Sequence, residues 1–218
     1  MSAAMPRVTH AEVSEHLATQ RYFDREFERE AVKVLPGEYY VSARGEAIVT
    51  VLGSCVAACI RDVRLGVGGL NHFMLPGEGA ASLVSSASAR YGVFAMEVLV
   101  NHLFKLGAQR EYLEAKVFGG GNVVASLLRS DVGARNAQFV RDYLATEDIA
   151  LVAEDLMDDH ARKVVFFPAT GRVMVKRVGA SSQSAELQHE RHYQRRLQSA
   201  PIAGEVALFD IEPAGGRR

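Results

Sequence analysis

The chain has 218 residues, 48% of them hydrophobic and 23% charged, which excludes a wholly disordered protein and favours one globular domain with flanking tails. Because 25 basic residues are balanced by 26 acidic ones, no overall positive field attracts nucleic acid or an anionic membrane surface. The apolar runs are far shorter than the roughly 20 residues of a membrane span, so we expect neither membrane insertion nor a signal peptide.

Residues 1–34 are predicted to form an N-terminal arm that contains one short amphipathic helix. Between Arg21 and Lys33 the basic residues recur every four positions, and Phe23 and Phe27 share that spacing. Such spacing places each set on one face of a helix. The turn-forming pair Pro-Gly at 36–37 ends the pattern.

Residues 35–178 are predicted to fold as one domain that mixes strands and helices. Runs rich in Val, Ile and Tyr predict strands at 38–42, 47–52, 56–61, 67–74, 114–118, 149–153, 163–167 and 172–176. An apolar stripe from Met96 to Leu106 predicts the clearest helix, which Gly107 ends, and a second helix is predicted at 134–145. Residues 76–88, rich in Gly, Ala and Ser, predict an exposed loop, and 123–128 a helical turn.

Residues 179–218 are predicted to be a mostly flexible C-terminal tail. Polar and charged residues dominate after Val178, and few apolar residues are present to anchor the segment on a core. The exception is the stretch from Leu187 to Leu197, which predicts a short helix.

The segment most informative about chemistry is Gly53-Ser54-Cys55, which follows a predicted strand. Gly53 and Ser54 are small enough for a tight turn that leaves room for a substrate carbonyl beside the sulfur. Backbone N–H groups at such a turn can also stabilise a developing oxyanion. The chain has two cysteines, four residues apart, which excludes a disulfide framework and indicates a reduced, cytoplasmic protein.

A histidine seventeen residues after Cys55 is the candidate base. If the two flanking strands pair around a tight turn between Val63 and Arg64, Cys55 lies opposite His72, with Cβ atoms about 4.5–5.5 Å apart. A slip of one residue would place the two side chains on opposite faces. In the alternative geometry Cys55 begins a helix, whose N-terminus would favour the thiolate.

An imidazole that activates a thiol needs a third group to hold its tautomer. Thr50 is one candidate, because its hydroxyl could accept a hydrogen bond from the ring nitrogen that faces away from sulfur. Asn71 and Asp62 are alternatives that the spacing leaves open.

Other candidate sites are weaker. Cys59 is predicted to be a core residue, and a zinc site from Cys55, Cys59 and His72 lacks the fourth Cys or His ligand of a structural site. The segment 119–122, Gly-Gly-Gly-Asn, lacks the lysine and the glycine spacing of nucleotide-binding loops, so we predict a tight turn. The remaining histidines are predicted to lie on the surface.

The chain from Leu35 to Val178 resembles the chemoreceptor glutamine deamidases (CheD) of bacterial chemotaxis. The matching motifs are Leu52–Ala57, Gly69–Pro76, Arg90–Gly92, Ala95–Glu97, Lys116–Asn122, Gly133–Asn136 and Gly171–Val173. The resemblance implies a three-layer α/β/β sandwich with mixed, largely antiparallel sheets, similar to the catalytic domains of cysteine deamidase toxins.

The resemblance also implies hydrolysis of receptor glutamine side chains to glutamate and ammonia, without a metal or organic cofactor. Cys55 matches the nucleophile, His72 the base and Thr50 the residue that orients the histidine, while Gly53 and Ser54 form the turn. Members can also bind a chemotaxis phosphatase. Two alternatives are a non-catalytic adaptor that docks on a phosphatase or receptor, and a thiol protease.

Overall fold

A computed structural model describes residues 16–75, 87–123 and 132–199, which form ten strands, three α-helices and one short 3-10 helix, Arg110–Tyr112. The strands are β1 Gln20–Asp24, β2 Arg29–Lys33, β3 Tyr39–Ser42, β4 Ala47–Leu52, β5 Val56–Asp62, β6 Val67–Asn71, β7 Leu113–Gly119, β8 Ala150–Leu156, β9 Arg162–Phe167 and β10 Arg172–Arg177. The helices are α1 Ala87–Lys105, α2 Val132–Thr146 and α3 Ala180–Ser199. None of these three helices is long and apolar enough to cross a membrane.

The strands form two five-stranded sheets, with orders β1-β2-β4-β9-β10 and β3-β6-β5-β7-β8. The pairs β2–β4 and β7–β8 are parallel, and the other six are antiparallel. This arrangement confirms the predicted mixed, largely antiparallel sheets.

The layers follow from the alternation of side chains along β5. Val56, Ala58 and Ile60 are buried in a cluster with residues of α1 and α2. Ala57 and Cys59 point to the opposite face and are buried between the two sheets. The order of layers is therefore helices, sheet, sheet, and the predicted α/β/β sandwich is confirmed.

The helix prediction for Arg21 to Lys33 was wrong, because this segment forms the antiparallel pair β1–β2. β2 extends the sheet by parallel pairing with β4, which buries Ala31 and Val32 completely. Phe23, by contrast, is 58% exposed. Pairing with a neighbouring strand has overridden a weak local helix signal.

The C-terminal segment contains a longer helix than predicted, since α3 covers Ala180–Ser199 rather than a short stretch near 187–197. Glu190 and Tyr193 of this helix are buried against the domain. The domain limits at 35 and 178 stay predictions, but β1, β2 and α3 extend the packed structure beyond both. Several predicted segments lie partly outside the described residues: positions 1–15 of the predicted arm at 1–34, most of the loop at 76–88, most of the turn at 123–128, and the part of the predicted tail after 199.

Candidate active site

Cys55 lies in a tight turn between β4 and β5, and hydrogen bonds from other parts of the chain hold this turn in place. All three carbonyl groups of the turn are hydrogen-bonded. Gly121 N–H donates to the Gly53 oxygen at 2.8 Å, and Gly120 N–H donates to the Cys55 oxygen at 2.7 Å. The Asn136 side chain on α2 donates to the Ser54 oxygen at 2.8 Å.

The glycine-rich segment after β7 is the support that fixes this turn. Gly119 has φ of +108°, and a Cβ atom there would overlap the Cys55 carbonyl oxygen. The prediction of a tight turn at 119–122 agrees with the positive φ angles of Gly119 and Gly120. Its contact with the cysteine turn, about 65 positions away in sequence, left no signal that sequence reasoning could find.

Cys55 and His72 lie on the same face of the sheet, although the predicted register was wrong. β5 and β6 pair Cys59 with Leu70 and Asp62 with Val67, so the turn is two residues longer than predicted and His72 is not directly opposite Cys55. An even slip keeps every side chain on its predicted face. The Cys55 sulfur and a ring nitrogen of His72 therefore still lie within 4.8 Å of each other.

Thr50 on β4 fixes the tautomer of His72. The Thr50 hydroxyl donates to the Val34 carbonyl oxygen at 2.8 Å, so its oxygen is left to accept a hydrogen bond from Nδ1 of His72, also at 2.8 Å. With the proton on Nδ1, the other ring nitrogen, Nε2, carries a lone pair. Nε2 is buried and has no hydrogen-bond partner among the described residues.

The two alternative partners of His72 have other roles. Asn71 accepts a hydrogen bond from Ala58 N–H and donates to the Ala95 carbonyl oxygen on α1. Asp62 accepts from backbone N–H groups of Arg64, Leu65 and Gln109. Thr50 is the one of the three candidates that contacts the imidazole.

Burial sets the charge state of the pair. Desolvation lowers the pKa of His72 to about 3, although a hydrogen bond with the Val34 backbone raises it, and Lys33 lowers it slightly further. Desolvation also raises the pKa of Cys55 well above its usual value, and the nearby Glu190 carboxylate raises it further. In this conformation the pair is therefore a neutral thiol beside a neutral imidazole.

Glu190 of α3 is the residue at this site that sequence reasoning missed. Its Oε1 accepts hydrogen bonds from Gly53 N–H at 2.7 Å and Cys55 N–H at 3.3 Å. Its Oε2 accepts from the N–H and the hydroxyl of Ser54, at 2.9 and 3.0 Å. Every N–H group of the turn is thus directed at one carboxylate, which makes the turn an anion-binding site.

Three side chains of types that can bind a metal ion lie close together here. Their potential ligand atoms, the Cys55 sulfur, a His72 nitrogen and a Glu190 oxygen, are all within 4.8 Å of one another. The donors around Glu190 do not fit a cation, however. Both carboxylate oxygens face N–H or O–H hydrogens, and these attract negative charge. The arrangement fits an oxyanion.

Comparison with known proteins identifies close relatives. Residues 74–177 match the family model described as CheD chemotactic sensory transduction. A protein of Dechloromonas aromatica named "Probable chemoreceptor glutamine deamidase CheD 1" is 58% identical over 89% of this chain and 96% of its own length. A Janthinobacterium protein named "Probable chemoreceptor glutamine deamidase CheD" is 57% identical over 89% of this chain and 97% of its own.

A solved structure of a Neisseria meningitidis protein, of family model DUF152, covers 55% of this chain and 53% of its own. Its sequence identity is 13% and its TM-score is 0.33, values too low to define a shared fold.

We expect Gly119→Ala to destabilise the protein more than Gly45→Ala. Both glycines have φ near +90° or above, but a Cβ at Gly45 meets no atom within 4 Å, whereas one at Gly119 overlaps Cys55. The strained backbone alone costs about 1–3 kcal/mol, and displacement of the turn adds to it only at Gly119. Urea denaturation measures both, and equal losses would contradict the supporting role of Gly119.

We also expect His72 to make the protein sensitive to acid. The unfolded chain binds a proton at His72 when the pH falls below the usual pKa of 6.5, whereas the folded chain binds one only when the pH falls to about 3. The free energy of unfolding is therefore intact above pH 6.5 and falls as the pH decreases towards 3. The loss due to this one group is about 2 kcal/mol by pH 5, since one pKa unit equals about 1.4 kcal/mol.

Urea denaturation at pH 7 and pH 5 tests this, with His72→Gln as the variant and His192→Gln, which changes an exposed histidine, as the matched control. The His72 variant should lose less stability between the two pH values than the wild type and the control. An unchanged loss would show that another group controls the acid sensitivity.

Proposed function

We propose that this chain, which belongs to the CheD family of chemoreceptor glutamine deamidases, hydrolyses glutamine side chains of chemoreceptors to glutamate and ammonia through Cys55. The observation that carries the proposal is the neutral pair of Cys55 and His72 beside a cluster of backbone N–H groups. A nucleophile, a base and an oxyanion site are the three parts that acyl transfer needs.

In the first half of the reaction, Nε2 of His72 takes the proton of the Cys55 thiol as the sulfur attacks the carboxamide carbon. The carbonyl oxygen becomes an oxyanion, which the N–H groups of Gly53, Ser54 and Cys55 stabilise. The protonated imidazole then donates its proton to the departing nitrogen, and ammonia leaves. The product of this half is a thioester between Cys55 and the substrate side chain.

In the second half, a water molecule replaces ammonia. Nε2 of His72 takes a proton from the water as its oxygen attacks the thioester carbon, and the same N–H groups stabilise the second oxyanion. The C–S bond breaks, the imidazole returns its proton to the sulfur, and glutamate is released. Throughout, the hydrogen bond from Nδ1 to Thr50 keeps Nε2 available to the reacting groups.

Both cysteines are free thiols. A reaction that depends on a reduced thiol fits the cytoplasm, where we propose that the protein works. Docking on a chemotaxis phosphatase also belongs to the proposal, as an additional partner that the family resemblance implies.

We expect Cys55→Ala to abolish deamidation and Cys59→Ala to retain most of it. Cys59 is a matched control, because it is also a buried cysteine of the cluster between the sheets but does not belong to the group formed by Cys55, His72 and Glu190. Purified protein is incubated with chemoreceptor cytoplasmic fragments, and both ammonia and the amide-to-acid mass change are measured.

Full activity in Cys55→Ala would refute the thiol mechanism. A wild type that binds receptor fragments or a phosphatase without changing their mass would favour the adaptor, and cleaved peptide bonds would indicate a protease.

We expect Thr50→Val to lower kcat by about 10²–10⁴-fold, the usual contribution of a correctly positioned general base. Valine matches the shape of threonine but cannot accept a hydrogen bond from Nδ1, so the proton is free to move to Nε2. Thr50→Ser keeps the hydroxyl and should restore most of kcat. Equal loss in both variants would show that packing, rather than the tautomer, is what Thr50 provides.

A further inference from the structure

The candidate active site is closed in this conformation. Cys55 and Thr50 have no exposed surface, and His72 is 1% exposed, so a glutamine side chain cannot reach the sulfur. Helix α3 contributes to this closure, because Glu190 lies against the cysteine turn and is itself only 4% exposed. A substrate oxygen can therefore bind the N–H groups of the turn only when Glu190 leaves them.

Glu190 has the chemistry of the reaction product. Its side chain is the glutamate that deamidation of a glutamine would leave, and its carboxylate accepts hydrogen bonds from the N–H groups proposed to stabilise the oxyanion. One of its oxygens lies within 4.8 Å of both the Cys55 sulfur and a His72 nitrogen. The contact is close, since a Cβ atom on Gly53 would come within 2.8 Å of Oε2.

Two apolar residues continue the contact along the same face of α3. Tyr193 and Leu197 lie three and seven positions after Glu190, which places all three on one side of the helix. Tyr193 packs against Gly37, whose N–H donates to the His72 carbonyl oxygen at 2.7 Å. Leu197 packs against the cluster that contains Leu52 and Cys55.

We infer that α3 occupies the substrate site as a built-in product mimic, which holds the enzyme closed at rest and reveals the shape of its substrate. The substrate is a glutamine on an α-helix, followed by apolar residues three and seven positions later. This inference rests on the proposed deamidase function, and it adds to that function both an inhibitory segment and a recognition pattern.

Glu190→Gln tests the inference most directly, because it converts the mimic into a substrate within the same molecule. The Cys55 sulfur attacks Cδ of the new glutamine, ammonia leaves with the proton from His72, and water hydrolyses the thioester to restore glutamate at 190. Peptide mapping by mass spectrometry should find glutamate at position 190 in the purified variant. Glu190→Gln combined with Cys55→Ala should keep its glutamine.

If Glu190→Gln keeps its glutamine while the wild type deamidates receptor fragments, α3 does not occupy the substrate site and the inference is overturned. If neither reaction occurs, the deamidase proposal fails, and the closure of the site by α3 is decided by a measurement that needs no catalysis.

That measurement is the rate at which iodoacetamide alkylates Cys55 in the 218-residue protein, resolved from Cys59 by peptide mapping. We expect Glu190→Ala and Tyr193→Ala each to raise the rate at least tenfold, and Gln188→Ala, which changes an exposed residue of the same helix, to leave it unchanged. Circular dichroism of each variant serves as the control that it is folded. Unchanged alkylation in both Glu190→Ala and Tyr193→Ala would refute closure by α3, whether or not the protein deamidates receptors.

The recognition pattern is tested with a synthetic peptide of residues 180–199 that carries Glu190→Gln, incubated with the Glu190→Ala protein. The peptide should be deamidated at position 190. Replacing both Tyr193 and Leu197 by alanine in the peptide should lower kcat/KM at least tenfold, mainly through KM. Equal kcat/KM for the two peptides would exclude the proposed apolar positions from substrate recognition.

Discussion

The site depends on the hydrogen bonds of one three-residue turn, whose carbonyl groups and N–H groups bind different partners. The carbonyl groups of Gly53 and Cys55 accept hydrogen bonds from the glycine-rich loop, and that of Ser54 accepts one from Asn136. The N–H groups of the same three residues all donate to a single carboxylate, that of Glu190. Because the carbonyl partners hold the turn in place, the N–H groups are preorganised and need not rotate when charge develops on a bound oxygen.

The position of this turn at the edge of the space between the sheets determines the electrostatics of the pair. In a dry environment a thiolate and an imidazolium both lose hydration, and the neutral forms are favoured. The carboxylate of Glu190 adds to the penalty on the thiolate. A neutral carboxamide in the same place removes that repulsion, so proton transfer from Cys55 to His72 becomes easier when a substrate replaces α3.

The sequence was sufficient for the parts of the site that adjacent strands contribute. Alternation along β5 and β6 placed Cys55 and His72 on one face, and this survived an error of two residues in the register because side chains alternate with a period of two. The sequence left Thr50, Asn71 and Asp62 open as partners of His72. Coordinates were needed to see that the Thr50 hydroxyl donates to the Val34 carbonyl oxygen and so can accept from the imidazole. Most strands and both helices of the central domain were predicted from their own patterns.

The parts that were missed depend on contacts between distant segments. The β1–β2 pair is stabilised because β2 pairs with the edge of β4. The residue pattern within 20–33 carries no information about that distant strand. The role of Glu190 depends on a contact across 137 positions with Gly53. A polar helix with two buried residues, Glu190 and Tyr193, and the partly buried Leu197 on one face looks, in sequence, like an ordinary solvated tail.

An intramolecular product mimic also solves a problem that the N–H cluster creates. A site that stabilises an oxyanion binds the carboxylate of its own product well, so glutamate on the receptor would be slow to leave. A segment of the same chain is present at an effective concentration of about millimolar, and it competes for the N–H groups as soon as the product begins to detach. Rebinding of Glu190 then releases the receptor and shields the thiol. The stability of the docked helix thus sets a balance, because tighter docking speeds the exclusion of product and slows the entry of the next glutamine.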